Sequence, residues 1–313
     1  IFVADTLNKY PLEDTMRFDV IIGNPPFQKE NDTTIGDDQP KRHGLWQPFV
    51  IKSITLLEKE GVLAFVTPNS WMAPSKSSLL HQFKDMYLQY VNTDIKKYFD
   101  KIGSTFTAWI LININGKGKE TEIDDKKFII DDWIYIPSNM DSVSIHKKIV
   151  FNNKYKKFEV LKDKVTAHTT LAKMKPDRLS RNENKNTHPF KIFHTNAQIL
   201  WSSIKPKHYE NPKVIFTSSG YMKPFYAPEC GVSQISYYIL LDGEEEAENL
   251  IGVLESKLYQ CILEDAKWGG YSSQIVLENL PMVDITRAWT DEELYKHFDL
   301  TKEEVGLIEQ KMK

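Results

Sequence analysis

Along the first 115 residues, short β-branched apolar runs alternate with longer segments of helical spacing. Residues 17–24 (Arg-Phe-Asp-Val-Ile-Ile-Gly-Asn) are nearly continuously apolar up to Gly23, the pattern of a strand buried on both faces of a parallel sheet. The Asp-, Asn- and Lys-rich stretch 28–43 predicts a surface loop. Over 46–57, Phe49, Val50, Ile54, Leu56 and Leu57 fall at the spacing of an amphipathic helix, which Gly61 is expected to end. A second buried strand is predicted at 62–66, a turn at Pro68-Asn69-Ser70-Trp71 and a second helix over 75–90. This strand–helix–strand–helix order predicts an α/β fold with a doubly wound, Rossmann-like sheet. Two closely spaced apolar runs, 91–95 and 105–114, predict that it ends in an antiparallel hairpin at the sheet edge.

Beyond the polar segment 116–125 the pattern changes. Strands predicted at 214–217 and 236–241 alternate with loops, followed by one acidic helix over 243–264 with Leu250, Leu254 and Leu258 four residues apart. Near the end, Thr290 with Glu293 and Thr301 with Glu304 form two capping boxes, which predict a helical hairpin. The expected division is therefore an α/β domain over 1–115, a linker over 116–145, a mixed α+β domain over 146–285 and a helical hairpin over 286–313.

Composition narrows the class. The 313 residues are 41% hydrophobic and 27% charged, as in ordinary globular proteins. No apolar run reaches the ~18 residues of a membrane span, so no membrane association is expected. The N-terminus lacks the pattern of a secretory signal, and two cysteines are too few for a disulfide framework. The expected setting is the reducing cytoplasm. The first residues, Ile1-Phe2-Val3-Ala4-Asp5, read as the end of a buried strand, as though further sequence precedes them. The histidines lack metal-ligand spacing, so no metal site is expected, and the absence of a Gly-x-Ser-x-Gly elbow argues against a serine hydrolase.

Charge is segregated beneath a net value of −3. Residues 1–143 carry 16 Lys+Arg against 20 Asp+Glu, 144–240 carry 17 against 6, and 241–313 carry 7 against 17. The basic central block is interleaved with His188, Phe190, Trp201, His208, Tyr209, Tyr221 and Phe225, among other rings. Cations suit phosphates and flat rings suit bases, so this block is expected to meet a polyanion; a solvated lysine-rich face is the plainer alternative.

Asn24-Pro25-Pro26-Phe27 carries the chemistry. It directly follows a predicted parallel strand, at the end where doubly wound folds handle ligands. The two prolines stiffen the turn and lack N–H donors, so the Pro25 carbonyl and the Asn24 amide oxygen offer adjacent acceptors. Two acceptors side by side suit an exocyclic amine. Holding both of its protons orients the nitrogen lone pair toward an electrophile.

The stretch from Asp19 to Phe27, Asp-Val-Ile-Ile-Gly-Asn-Pro-Pro-Phe, resembles the catalytic motif of DNA adenine-N6 methyltransferases. The order of the remaining segments resembles the gamma group of type II and type IIG restriction–modification enzymes, including Eco57I-like members. Further matches are the acidic segment around Asp5, the 61–71 strand and turn, Phe99 ahead of Ser104-Thr105-Phe106-Thr107, the 213–215 strand, and Trp268-Gly269-Gly270-Tyr271 with Leu280-Pro281. The resemblance implies S-adenosylmethionine as cofactor, contacted by Asp5, Thr6 and Asn24. It implies catalysis by Asn24, Pro25, Pro26 and Phe27 on an adenine extruded from double-stranded DNA and stacked on Phe27 and Phe99. It further implies that 146–285 is a target-recognition domain.

The chain departs from the family in lacking the Gly-rich cofactor turn, as though it began at the third cofactor motif. An upstream fragment or subunit completing the cofactor site is therefore expected as a partner. The alternative is a non-catalytic module that recognises a DNA sequence; action on an amine in RNA or protein fits the basic block less well.

Overall fold

The computed structural model describes residues 16–27, 45–75, 78–83, 85–98, 105–163, 165, 178–195, 198–217, 223–268 and 274–313. The chain divides into two compact units, 1–135 and 136–313.

In the first unit, β1 (Phe18–Gly23), α1 (Trp46–Thr55), β2 (Leu57–Pro68), α2 (Leu79–Phe83), β3 (Tyr87–Asn92), β4 (Phe106–Ile112), β5 (Glu120–Ile123) and β6 (Lys126–Ile129) follow in order. The six strands form one mixed sheet in the order β1-β2-β4-β3-β5-β6. β1 runs parallel to β2, and β3 parallel to β5; the other neighbours are antiparallel. On β4, Thr107, Trp109 and Leu111 are buried and the residues between them half-buried, so both faces of the strand are covered. The more deeply buried positions include Trp109, whose ring lies 5.0 Å from Phe83 and 5.8 Å from Phe65. Its indole N–H donates to Thr67 Oγ1 at 3.0 Å.

Four expectations need correction here. Gly61 does not end a helix. It lies inside β2, where the register slips against β1 and Glu60 takes a left-handed φ of 66°. A Cβ at Gly61 would stand 2.9 Å from the carbonyl oxygens of Phe18 and Glu58, so only glycine lets the bulged strand approach β1. The helix over 75–90 is confined to α2, because Tyr87, Tyr90 and Val91 are instead drawn into β3. The β3–β4 hairpin is not the sheet edge: residues 116–129, read as linker, contribute β5 and β6 beyond β3. Finally, β1 is not buried on both faces. It is the outer strand of the described sheet, with Val20 56% and Ile22 78% exposed.

The second unit opens with α3 (Val143–Ile149). A four-stranded sheet follows from β7 (Leu179–Ser180), β8 (Phe190–Thr195) and β9 (Gln198–Ser202), with β12 (Gly231–Val232) on the far side of β8. A three-stranded sheet places β10 (Lys213–Thr217) between β11 (Phe225–Tyr226) and β13 (Ser236–Leu240). The acidic helix is two helices, α4 (Glu244–Glu255) and α5 (Lys257–Asp265). They break at Ser256, which turns extended and caps α5 by accepting from the Tyr259 N–H. After α6 (Gln274–Asn279), α7 (Asp291–His297) and α8 (Lys302–Lys311) each begin with the expected capping box.

A buried polar knot ties this unit's ends together. The Asp265 carboxylate is fully buried; it accepts from Ser142 Oγ at 2.7 Å and from Lys311 Nζ at 2.6 Å, and His146 Nε2 lies 3.4 Å away. Burial works to raise the Asp265 pKa, but these hydrogen bonds outweigh it and hold the carboxyl below its usual range. Burial likewise pushes His146 below its usual value. Below about pH 6.5 the unfolded chain therefore binds a proton at His146 that the folded chain resists, so stability falls as pH drops through that range. Asp265 extends the loss below its ordinary value of 3.8, as the folded group is protonated in turn. Thermal unfolding followed against pH is expected to show both phases, and His146→Leu to flatten the upper one. Lys311→Met, which removes one partner of a buried carboxylate, is expected to cost on the order of 3 kcal/mol at neutral pH.

Candidate active site

The corner after β1 is built by two aromatic contacts. At its start, Gly23 pairs with Phe65 of β2, and a Cβ there would sit 2.9 Å from the Phe65 ring. Glycine thus lets the phenyl ring lie against the backbone where the chain leaves the sheet. At its end, the Phe27 ring stacks on Phe106 with centroids 4.8 Å apart and planes 28° from parallel. Phe106 is buried at the start of β4, where it pairs with Pro68 at the end of β2. Between these anchors Pro25 is buried, while Asn24 and Pro26 are exposed. Among the described residues, the Asn24 side-chain amide makes no hydrogen bond.

The neighbouring turn is tied to the same end of the sheet. Asn69 is buried; its side-chain amide donates to Thr105 Oγ1 at 2.5 Å, and its backbone N–H donates to the Thr105 carbonyl at 3.3 Å. The ends of the parallel pair β1 and β2 and the start of β4 therefore form one rigid rim. That rim presents the Asn24 amide outward on a proline-stiffened turn.

Of the residues expected at the site, Asn24, Pro25, Pro26 and Phe27 are brought together at this rim. Asp5, Thr6 and Phe99 lie outside the described residues. Phe106, a buried core residue, is also the platform for Phe27, a link between two segments that sequence spacing does not display. Tyr98, which precedes Phe99 in the sequence, is 72% exposed.

Several ring-bearing residues of the basic block prove to be structural. Phe193, His194 and Phe216 are buried, and Phe193 packs edge-on against Phe225 at 4.9 Å. His194 Nδ1 lies 2.8 Å from Ser233 Oγ, and burial lowers its pKa. Trp268 donates to the Ile136 carbonyl, and the Pro281 carbonyl accepts from Tyr259 Oη. Both cysteines are free and buried. Among the described residues no acidic, histidine or cysteine cluster suits a metal ion, and no helix is long and apolar enough to cross a membrane.

One comparison with known proteins covers the residues of the rim. Residues 3–105 match the family model of the Eco57I restriction-modification methylase. A protein of Mycoplasma pneumoniae described as an uncharacterized adenine-specific methylase is 31% identical over 195 residues, which cover 55% of this chain and 40% of that protein. The chain thus spans less than half the length of that relative. Among solved structures, the type IIL restriction-modification enzyme MmeI in complex with DNA aligns at 13% identity over 83% of this chain and 45% of its own, with a TM-score of 0.46. The modification subunit of a type I restriction enzyme from Vibrio vulnificus aligns at 16% identity over 38% of this chain and 28% of its own, with a TM-score of 0.29. Over the segment that carries the Asn24–Phe27 corner, the chain matches the Eco57I restriction-modification methylase family.

Proposed function

We propose that this chain carries the target-base half of a DNA adenine-N6 methyltransferase of a restriction–modification system. One observation carries the reading: a Gly-Asn-Pro-Pro-Phe corner at the end of a parallel strand, clamped by Phe65 and Phe106, with the Asn24 amide exposed. The methylase family match over 3–105 and the adenine-specific description of the Mycoplasma relative support it. On this reading the first unit is part of a doubly wound methyltransferase domain and the second is a target-recognition domain.

An adenine inside a duplex hides N6 in the stack, so the base is extruded into the corner. The Asn24 amide oxygen and the Pro25 carbonyl each accept a hydrogen bond from one N6–H, which fixes the nitrogen and directs its lone pair outward; the nitrogen releases one proton to solvent on becoming the secondary amine. The nitrogen needs no covalent enzyme intermediate; orientation and preorganised acceptors suffice. Phe27, backed by Phe106 on one face, keeps the corner from yielding when the base arrives. S-adenosylmethionine, when bound, supplies the methyl group. Asn24 is the one described residue of the set assigned to it, beside Asp5 and Thr6, and an upstream segment or subunit provides the remainder of that site.

The test is methyl transfer to duplex DNA in a longer polypeptide or complex that supplies cofactor binding. Asn24→Ala is expected to lower kcat by about a hundredfold or more while DNA affinity stays within twofold. Turnover at the normal rate would sink the mechanism. If the parent protein itself binds DNA and never methylates it, the non-catalytic recognition module takes its place. Phe106→Leu removes the ring behind Phe27 and touches no substrate. It is expected to lower kcat by about tenfold with KM little changed, because a displaced corner loses orientation before it loses binding. A companion Phe106→Tyr variant that keeps the ring is expected to restore most of the rate.

A further inference from the structure

The second unit contains a cavity of about 730 Å³ beneath the loop that joins β9 to β10. Its floor is apolar, formed by Leu161, Val165, Leu179 and Pro206. Its rim is cationic, with exposed Lys162, Arg178, Lys205 and Lys207. Lys205 is paired with Glu210. For Lys162, Arg178 and Lys207 no ion pair forms among the described residues. The single acidic lining residue, Asp163, is occupied internally: it accepts from the Val232 N–H at 2.8 Å and from Tyr238 Oη at 3.1 Å. The mouth is therefore positive, within the most basic stretch of the chain.

The loop above the cavity is rigid, and it presents an aliphatic side chain to solvent. Ser202 Oγ donates to the Ile204 carbonyl at 2.8 Å and accepts from the Ile204 N–H at 3.0 Å, which locks the first turn of the loop. Pro206 is buried against Gly231, where a Cβ would stand 2.4 Å from the proline ring. The buried Lys213 Nζ donates to the carbonyls of Tyr209 and Cys230 at 3.0 and 2.9 Å, securing the far end. Ile204, between these fixings, is 56% exposed on the cavity wall. An exposed isoleucine on a fixed loop beside a cationic rim fits a ligand that is both anionic and apolar at its edge.

We infer that this cavity and loop form a DNA-reading site: Lys162, Arg178 and Lys207 hold backbone phosphates, and Ile204 reads the C5-methyl group of a thymine. The inference rests on the proposed DNA substrate and assigns the contacts that choose the sequence. Phosphate contacts fix position and release counterions, whereas an apolar contact to the thymine methyl carries base information. The two roles predict different signatures.

The test uses the full 313-residue chain and fluorescently labelled duplexes. Replacing Lys162, Arg178 and Lys207 together by Gln is expected to weaken binding of mixed-sequence DNA about tenfold. It is also expected to reduce the slope of log affinity against log salt by about 3. Ile204→Ser should leave mixed-sequence affinity within twofold. On the sequence that the chain enriches from a random duplex pool, replacing thymidine by deoxyuridine at one position should weaken wild-type binding about fivefold and leave the Ile204→Ser variant unmoved. An unchanged salt slope in the triple variant overturns the inference. So does an equal response of both proteins to deoxyuridine, or a mononucleotide that fills the cavity through the same cations without affecting DNA binding. Those results leave the methyltransferase reading intact, whereas a wild-type chain that retains no duplex at all counts against both.

Discussion

The ring of Phe106 holds the candidate site in place. It sits at the first position of a strand flanked on both sides, is buried, and offers its face to Phe27 three residues beyond the Asn24 amide. With Gly23 against Phe65 at the other end, the corner is gripped at both ends by rings that belong to neighbouring strands. A loop of four residues held at one end would sample many orientations, and an amide that reorients cannot preorganise acceptors. Here the entropy of ordering the turn is met during folding, by the prolines and by aromatic packing. The proposed catalysis by positioning requires that division of labour.

The candidate corner is more legible in the sequence than the architecture around it. Asn24-Pro25-Pro26-Phe27 after an apolar run is a local signal, because the strand, the stiff turn and the acceptors lie within a few consecutive residues. The parallel pairing of β1 with β2 followed from the same pattern, and both capping boxes formed because a cap depends on residues three apart. The platform under Phe27 was not legible, since Phe27 and Phe106 are distant along the chain and meet only through the order of β1, β2 and β4. Periodicity also misled at 75–90. Leucines and aromatics there satisfy helical spacing, yet pairing of Tyr87–Asn92 with β4 outweighs local preference.

Charge is legible along the chain in aggregate and not in detail: the sequence displays an excess of cations over 144–240 but not which rings and cations there are taken up by the core. Phe193, His194 and Phe216 are spent on the core of the second unit, and Lys213, nominally one of the basic residues, is buried as a brace between backbone carbonyls. Burial lowers its pKa, and what it contributes is rigidity of the β9–β10 loop. Four other cations of the block, Lys162, Arg178, Lys205 and Lys207, line one cavity, and of these Lys205 is paired with Glu210.

The two units solve different problems with the same device. In the first, a glycine admits a ring so that a polar amide can be held outward on a stiff turn. In the second, Gly231 admits the Pro206 ring so that an aliphatic side chain can be held outward on a stiff loop. Each glycine is fixed by a close approach and not by backbone conformation; Gly23 directly precedes the amide it holds, whereas Gly231 lies far along the chain from Ile204. On the proposed reading, a substitution at either glycine would disturb function without touching a substrate, and removing Asn24 or Ile204 would leave the scaffold standing and take away the proposed contact alone. That separation between residues that set geometry and residues that make contact lets loss of orientation be distinguished from loss of binding in both units.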